Sequence, residues 1–447
     1  MKKLLASGFP ILLLIFFLGA SLVGYGGLAW YVERDRPEQL AICFLLVFSG
    51  YAYWWFNRSL LSWRTILITA VLFRILFVFD DSCRLSDDVF RFIWDAEQVA
   101  MGQNPYEFTP TEWAENHPYT QFDQLSPLYQ SINSKEYYSV YPPTCQLTWG
   151  NSVWISNMLG YENNIGARII VLKSIYIIIE IITMLLLVKI LLKRGQAAQL
   201  AGIYALNPLV IIEFSGNLHP EAIMILFLVV AAVLALSQRF LLSAIPFGFA
   251  VATKFLPILF IPFLIKKYGW KQTLLFSLIG LGVAALLFIP FVSNNLLGNI
   301  TESLGLYFHT FEFNASTYFI VRNIVYSLTG FNYITYIGPA LMGLSALIIA
   351  ILWWRQKSTT QSFLWVYVVY ILLATTVHPW YLAITLVLAI FTTRRWPMVA
   401  SCAVMLSYFL YTFGKETWWL IGVEYFLIIS TMIFDYWYSK KHIENMQ

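Results

Sequence analysis

Long hydrophobic runs dominate the chain, and most have the length, roughly 17–25 residues, that an α-helix needs to cross a bilayer. They fall at 9–31, 38–57, 62–79, 167–192, 197–215, 219–237, 239–253, 255–266, 271–293, 333–354, 361–377, 379–393, 396–413 and 418–438. Three of them, 239–253, 255–266 and 379–393, are short for a span. This pattern predicts an all-α polytopic membrane protein, a bundle of about 14 (12–14) transmembrane helices. The first run follows Met1-Lys2-Lys3 and is long enough to span, so it reads as a retained helix rather than a cleaved signal.

Two connections are long, 80–166 and 294–332. With the N-terminus placed inside and the runs alternating, sixteen Lys and Arg fall in inner connections and nine in outer ones. That agrees with the positive-inside bias and puts both long connections outside. No solenoid-length repeat, low-complexity tract or second soluble domain interrupts the chain, so 1–447 reads as a single membrane domain with loops.

Within the first long connection the periodicity changes. Val89, Ile93, Ala96 and Ala100 recur at helical spacing, with Phe92 and Val99 beside them. Asp88, Arg91, Asp95 and Gln98 fall opposite. The spacing predicts an amphipathic helix lying in the interface plane, capped by Ser86 and ended by Gly102, with "GQNPY" turning the chain. A short apolar stretch after Pro142-Pro143 reads as an interfacial or re-entrant helix.

Composition narrows the class. The chain is 59% hydrophobic and 12% charged, against about 25% charged in a soluble domain, and a net charge of +4 does not point to nucleic acid. Cys83 and Cys145 share the outer side, where a disulfide is permitted, although two unrelated thiols is the simpler reading.

Candidate chemistry collects on that same side. Between Asp80 and Tyr141 stand eleven carboxylates and three basic residues. Glu97, Glu107, Glu112, Glu115 and Glu136 read as a solvated polar face. Asp80, Asp81, Asp87 and Asp88 sit where a spanning helix meets the interfacial one. Desolvation and mutual repulsion there raise a carboxylate pKa, which makes a usable general base. A carboxylate pair can also hold a divalent cation, and spacing does not choose between the two. "NPLVIIEFSGNLHPEA" adds Glu213, Asn217, His219 and Glu221, "ATKFLP" adds Lys254, and "HPWY" adds His378. A cation at that depth would stabilise charge developing on a departing phosphate.

In order and placement, "SDDVFRFIWDAEQVAMGQNPY", "YPPTCQL", "NPLVIIEFSGNLHPEA", "KFLPILFIPF" and "HPWY" resemble the multi-spanning glycosyltransferases of the GT-C superfamily. The likeness is nearest to glycosyltransferase family 87 and its bacterial mannosyltransferases, and it runs from about residue 62 to at least 393. The resemblance implies a GT-C-like bundle and an inverting transfer of a hexose, mannose by family likeness. The implied donor is a polyprenyl-phosphate sugar, and the acceptor hydroxyl belongs to a glycolipid or cell-envelope glycan. It further implies that the reaction faces the non-cytoplasmic side, the periplasm if the membrane is a bacterial inner membrane.

Counted back from Asn104-Pro105-Tyr106, Asp88 matches the family's base, with Asp87 the second candidate. Relatives often space their two acids, whereas here they are adjacent, so the metal requirement stays open. Lys254, His219, His378, Arg84 and Arg322 are the candidates for the donor phosphate. Asp80, Asp81, Arg91, Tyr141, Glu221, Trp380 and Tyr381 are those for the sugar and acceptor. The sequence makes no cofactor certain and leaves room for a divalent cation. The rival reading is a lipid-linked-sugar flippase, favoured by Lys173 and Glu180 within the 167–192 run.

Overall fold

The computed structural model describes residues 2–118, 120, 122–355, 359–414 and 417–444. Of the loop cations counted above, Lys357 and Lys415 lie outside the described residues. The protein is 76% helical, with no strand among the described residues; a single isolated parallel bridge joins Phe313 to Thr376. Among the described residues, seven helices are long and apolar enough to cross a membrane: Phe9–Trp30, Pro37–Phe56, Ile165–Lys193, Trp270–Leu287, Ile334–Arg355, Trp396–Phe413 and Trp418–Tyr438. An eighth would be the pair Ala198–Ala205 and Pro208–Gly216, bent by 58° at the break.

The protein is therefore an all-α membrane protein, but a count of about 14 does not follow from these lengths. Helix forms in the other expected runs too, in pieces too short to pass. Proline breaks two of these runs. Pro257 and Pro262 split 255–266 into a 3-10 turn and an eight-residue helix, and Pro379 opens 379–393 with another 3-10 turn. A ring-locked nitrogen cannot donate to the preceding turn, so proline starts helices and does not continue them.

The chain forms two compact units. The first takes in the chain up to Asp80, then Met184–Gly216 and everything from Val377 on. Its helices α1 (Lys2–Trp30) and α2 (Pro37–Phe56) pack closely through glycines. A Cβ on Gly50 would meet Ser21 Oγ at 2.0 Å, and one on Gly24 would meet Val47 at 2.8 Å, so any side chain there would push the helices apart. α3 (Trp63–Ile75) supplies Arg74, fully buried, which donates to the carbonyl of Ala205 at 2.8 Å. Tyr51 donates to the carbonyl of Ile203 at 2.9 Å. These two bonds satisfy carbonyls that the break at Asn207-Pro208 leaves without helical donors. Beyond it, Ile212–Gly216 is a π-helical turn, and Tyr408 donates to Glu213 within it at 2.8 Å.

The second unit is Asp81–Thr183 with Asn217–Thr376. It holds α4 (Asp88–Ala100), α5 (Pro110–Asn116), α6 (Pro127–Ser131), α7 (Pro143–Met158) and α8 (Ile165–Lys193), the last running on into the first unit. Helices Glu221–Leu236, Ala244–Val251 and Trp270–Leu287 pack around Ala231, Phe247 and Phe276. α4 has the expected bounds and periodicity but not the expected setting. Its polar residues Arg91, Asp95, Glu97 and Gln98 are buried along with Val89, Phe92 and Ile93, so it does not lie with one face in solvent. It ends as expected: Gly102 at φ +73° lets Gln103 and Gly102 donate to the carbonyls of Gln98 and Val99. Ser86 Oγ accepts from Asp88 N–H at 3.4 Å, a weak cap. The four cysteines form no disulfide, and Cys83 and Cys145 are both buried.

Candidate active site

Asp88 is the first residue of α4 and is half-buried. Asn133 donates to its Oδ1 at 2.9 Å, fixing the carboxylate against the segment that follows α6. Asp87, also half-buried, is the N-cap residue but makes no side-chain cap bond. Asp81 is exposed and lies against the start of α8, where a Cβ on Gly166 would come within 2.7 Å of its Oδ2. A carboxylate is favoured at a helix N-terminus, so Asp81 has a structural occupation. Arg84 is half-buried.

Arg91 is bonded within the protein through two of its three guanidinium nitrogens. Its Nε donates to Asp95 at 2.8 Å, and its NH1 donates to the carbonyls of Ser134 at 3.0 Å and Tyr137 at 2.8 Å. Asp95 also accepts from Ser139 Oγ at 2.5 Å and Gln146 Nε2 at 3.0 Å. Gln146 reaches on to the carbonyl of Tyr141 at 3.2 Å, and Tyr106 donates to that same carbonyl at 2.7 Å. Burial pushes the Tyr106 phenol well up from its usual range, so it remains a donor.

On the neighbouring stripe of α4, Phe92 stacks on Trp149 with centroids 4.3 Å apart. Tyr141 meets both rings edge-on at 5.1 and 5.0 Å, and His219 stands edge-on to Phe92 at 6.5 Å. His219 is aimed by Leu218, a buried residue at φ +64°. A leucine held in the left-handed region is strained, a condition that clusters at functional sites. Glu221, fully buried, forms an ion pair with Lys254, whose side chain is 24% exposed. Glu221 Oε2 has no hydrogen-bond partner among the described residues. The first turn of α7 is bonded to the segment carrying Lys254: Thr144 N–H donates to the carbonyl of Ala252 at 2.9 Å, and its hydroxyl to that of Phe249 at 3.1 Å.

The second unit thus links Asp88, Arg91, Tyr141, His219, Glu221 and Lys254 through contiguous contacts. Arg322 is in the same unit but engaged elsewhere: it pairs with Glu312 at 2.9 Å, stacks over Phe319 and bonds Asn323. Asp80, His378, Trp380 and Tyr381 belong to the first unit. There the His378 and Trp380 rings stack at 4.4 Å and Tyr381 meets His378 edge-on at 5.5 Å. Lys173, offered above as a transport feature, donates to the carbonyl of Ser82 at 2.6 Å, and both it and Glu180 are buried. Among the described residues no three His, Cys, Asp or Glu side chains gather as a metal-holding set, and no step below is routed through a metal.

Sequence reasoning passed over Asp95, Ser139, Gln146 and Asn133, and it misread Glu97. Asp95 stands seven residues after Asp88, two turns along one stripe, which was the signal available. Ser139, Gln146 and Asn133 had none, because nothing local marks a polar residue whose partner is distant. Glu107, Glu112, Glu115 and Glu136 are exposed as expected, but Glu97 is buried against Arg168 at 2.6 Å.

Burial pushes the Glu97 carboxyl up to about 7, with Arg168 opposing the shift. A carboxyl raised on folding makes the folded state bind the extra proton. Stability is therefore highest below about pH 4.5 with respect to this group, falls as pH rises toward 7, and is level above. Thermal unfolding in detergent should show this decline, roughly 1–3 kcal/mol between pH 5 and 8, and Glu97→Gln should flatten it.

A family model described as alpha-(1->6)-mannopyranosyltransferase, N-terminal domain, matches residues 26–268, more than half of the 447. No curated protein and no solved structure matches the chain. The match bears out the resemblance to family 87 mannosyltransferases, and it takes in α4, the Asp95 hub, His219, Glu221 and Lys254. The chain is a glycosyltransferase, and it belongs to the alpha-(1->6)-mannopyranosyltransferase family.

Proposed function

We propose that the protein transfers mannose from a polyprenyl-phosphate mannose donor to a hydroxyl of a glycolipid or envelope glycan. In this reading the transfer occurs on the non-cytoplasmic face, with inversion at the anomeric carbon. The observation that carries it is the placement of Asp88. It stands half-buried at the head of a buried helix, and that helix is joined through α7 to the cation Lys254. Asp88 takes the proton of the acceptor hydroxyl as its oxygen bonds to the anomeric carbon. The bond from that carbon to the phosphate oxygen breaks in the same step, and the lipid phosphate leaves with its electron pair.

A fixed cation beside that oxygen lowers the barrier most when water is excluded. Lys254 serves here, with His219 and Arg84 of the same unit as further phosphate contacts. Tyr141 offers a face for the sugar ring. Arg91 acts inward, on the protein itself, and not on the substrate. Arg322, held by Glu312, is a lesser candidate than the sequence implied.

The test is transfer by the purified full chain in nanodiscs to an extracted membrane-lipid acceptor pool. Radiolabelled polyprenyl-phosphate mannose and nucleotide-activated mannose are compared as donors. Transfer from the lipid donor alone supports the proposal. Transfer from the nucleotide donor overturns the donor assignment, and movement of lipid-linked mannose across vesicles without transfer favours the flippase.

A further inference from the structure

The segment between α6 and α7 is bound to α4 at each end and in its middle. Asn133 holds Asp88 at 2.9 Å. The next residue, Ser134, and Tyr137 give their carbonyls to Arg91. Ser139 donates to Asp95 at 2.5 Å, and Gln146 closes the far end with bonds to Asp95, Ser139 at 2.8 Å and the Tyr141 carbonyl. The other flank is held too, since Ser303 donates to the carbonyl of Tyr138 at 3.0 Å. Asp95, Ser139 and Gln146 are all at most 1% exposed, so water does not compete for these bonds. Two residues before Gln146, in the same first turn of α7, Thr144 donates to the carbonyls of Phe249 and Ala252, just before Lys254.

We infer that Ser139 and Gln146, acting through Asp95, are positioning residues that set Asn133, and with it the Asp88 carboxylate, in register with the Lys254 segment. The inference rests on Asp88 acting as the base. Ser139 is the joint that can be opened most cleanly. Its removal leaves the buried Arg91–Asp95 pair intact, whereas loss of Asp95 would strand the Arg91 charge. Neither residue touches substrate. Their effect is geometric: it should lower turnover of bound substrate without weakening the donor's hold.

The experiment measures steady-state transfer by the full chain in nanodiscs with polyprenyl-phosphate mannose, for Ser139→Ala, Ser139→Thr and Gln146→Leu. Backbone hydrogen exchange over 133–141 is followed in parallel. Ser139→Ala should lower kcat about tenfold with the donor KM within about twofold, as a misplacement of part of an ångström does. Ser139→Thr, which keeps the hydroxyl, should restore most of it, and Gln146→Leu should match or exceed the alanine effect. Exchange over 133–141 should quicken in the alanine and leucine variants.

Unchanged kcat in both variants overturns the inference, and so does a loss that threonine fails to restore. Asp88→Asn is run beside them: if it transfers normally, the base assignment falls, and the register with it. If the parent shows no transfer, the proposed function falls, and unchanged exchange in the variants would show that the joint itself does not exist.

Discussion

Asp88→Asn should lower kcat by about 10³-fold while leaving the protein folded, the range lost when a general base is removed. Asparagine keeps a carbonyl oxygen that can accept from Asn133 as Asp88 Oδ1 does at 2.9 Å, so that bond survives the substitution. Thermal unfolding of the variant should therefore match the parent within the precision of the measurement. Asp87→Asn is the control, because Asp87 sits one residue earlier and makes no side-chain cap bond, while the bond from Asn133 goes to Asp88. It should lose less than tenfold. A collapse in Asp87→Asn with activity in Asp88→Asn would move the base by one residue, to Asp87.

Lys254→Ala should be costly twice over, and the two costs can be separated. Without the cation the departing phosphate loses its counter-charge, which is worth about 10²–10³ in rate for a preorganised site. Glu221, fully buried, would also be left as an unpaired carboxylate. Removing one member of a buried pair costs 3–5 kcal/mol. The partial exposure of Lys254 places this case near the lower end, at about 3 kcal/mol. The double variant Lys254→Met with Glu221→Gln removes both charges. It should recover most of the lost unfolding temperature and none of the transfer. Recovery of transfer along with stability would mean that the pair only holds the helices together.

The site shows where sequence reading reaches and where it stops. α4 was legible because an amphipathic period is a local property, and its terminus was legible because Gly102 alone tolerates the turn. Asp88 and Lys254 stood out through motif order, and the structure links them to His219, Glu221 and Tyr141. The bonds that Arg91 makes were not legible, for a physical reason. A guanidinium on a polar stripe looks available until the chain, some forty-five residues on, supplies the carbonyls it holds. Glu97 was taken for a solvated acid because its ion-pair partner, Arg168, is 71 residues away. Arg322 likewise looked like a phosphate ligand until Glu312 and Phe319 occupied it.

By itself the sequence determined the all-α membrane class, the positions of the helical runs and the family. Each depends on hydrophobic length, local periodicity or motif order, which neighbouring residues carry among themselves. Only the tertiary structure decided which runs are long unbroken helices. It also decided that α4 is buried on its polar side, and which of the charged residues are spent on one another. Burial and pairing are settled between residues far apart in the chain. A charge on a helix face therefore has the same local signature whether it awaits a substrate or already holds the fold together.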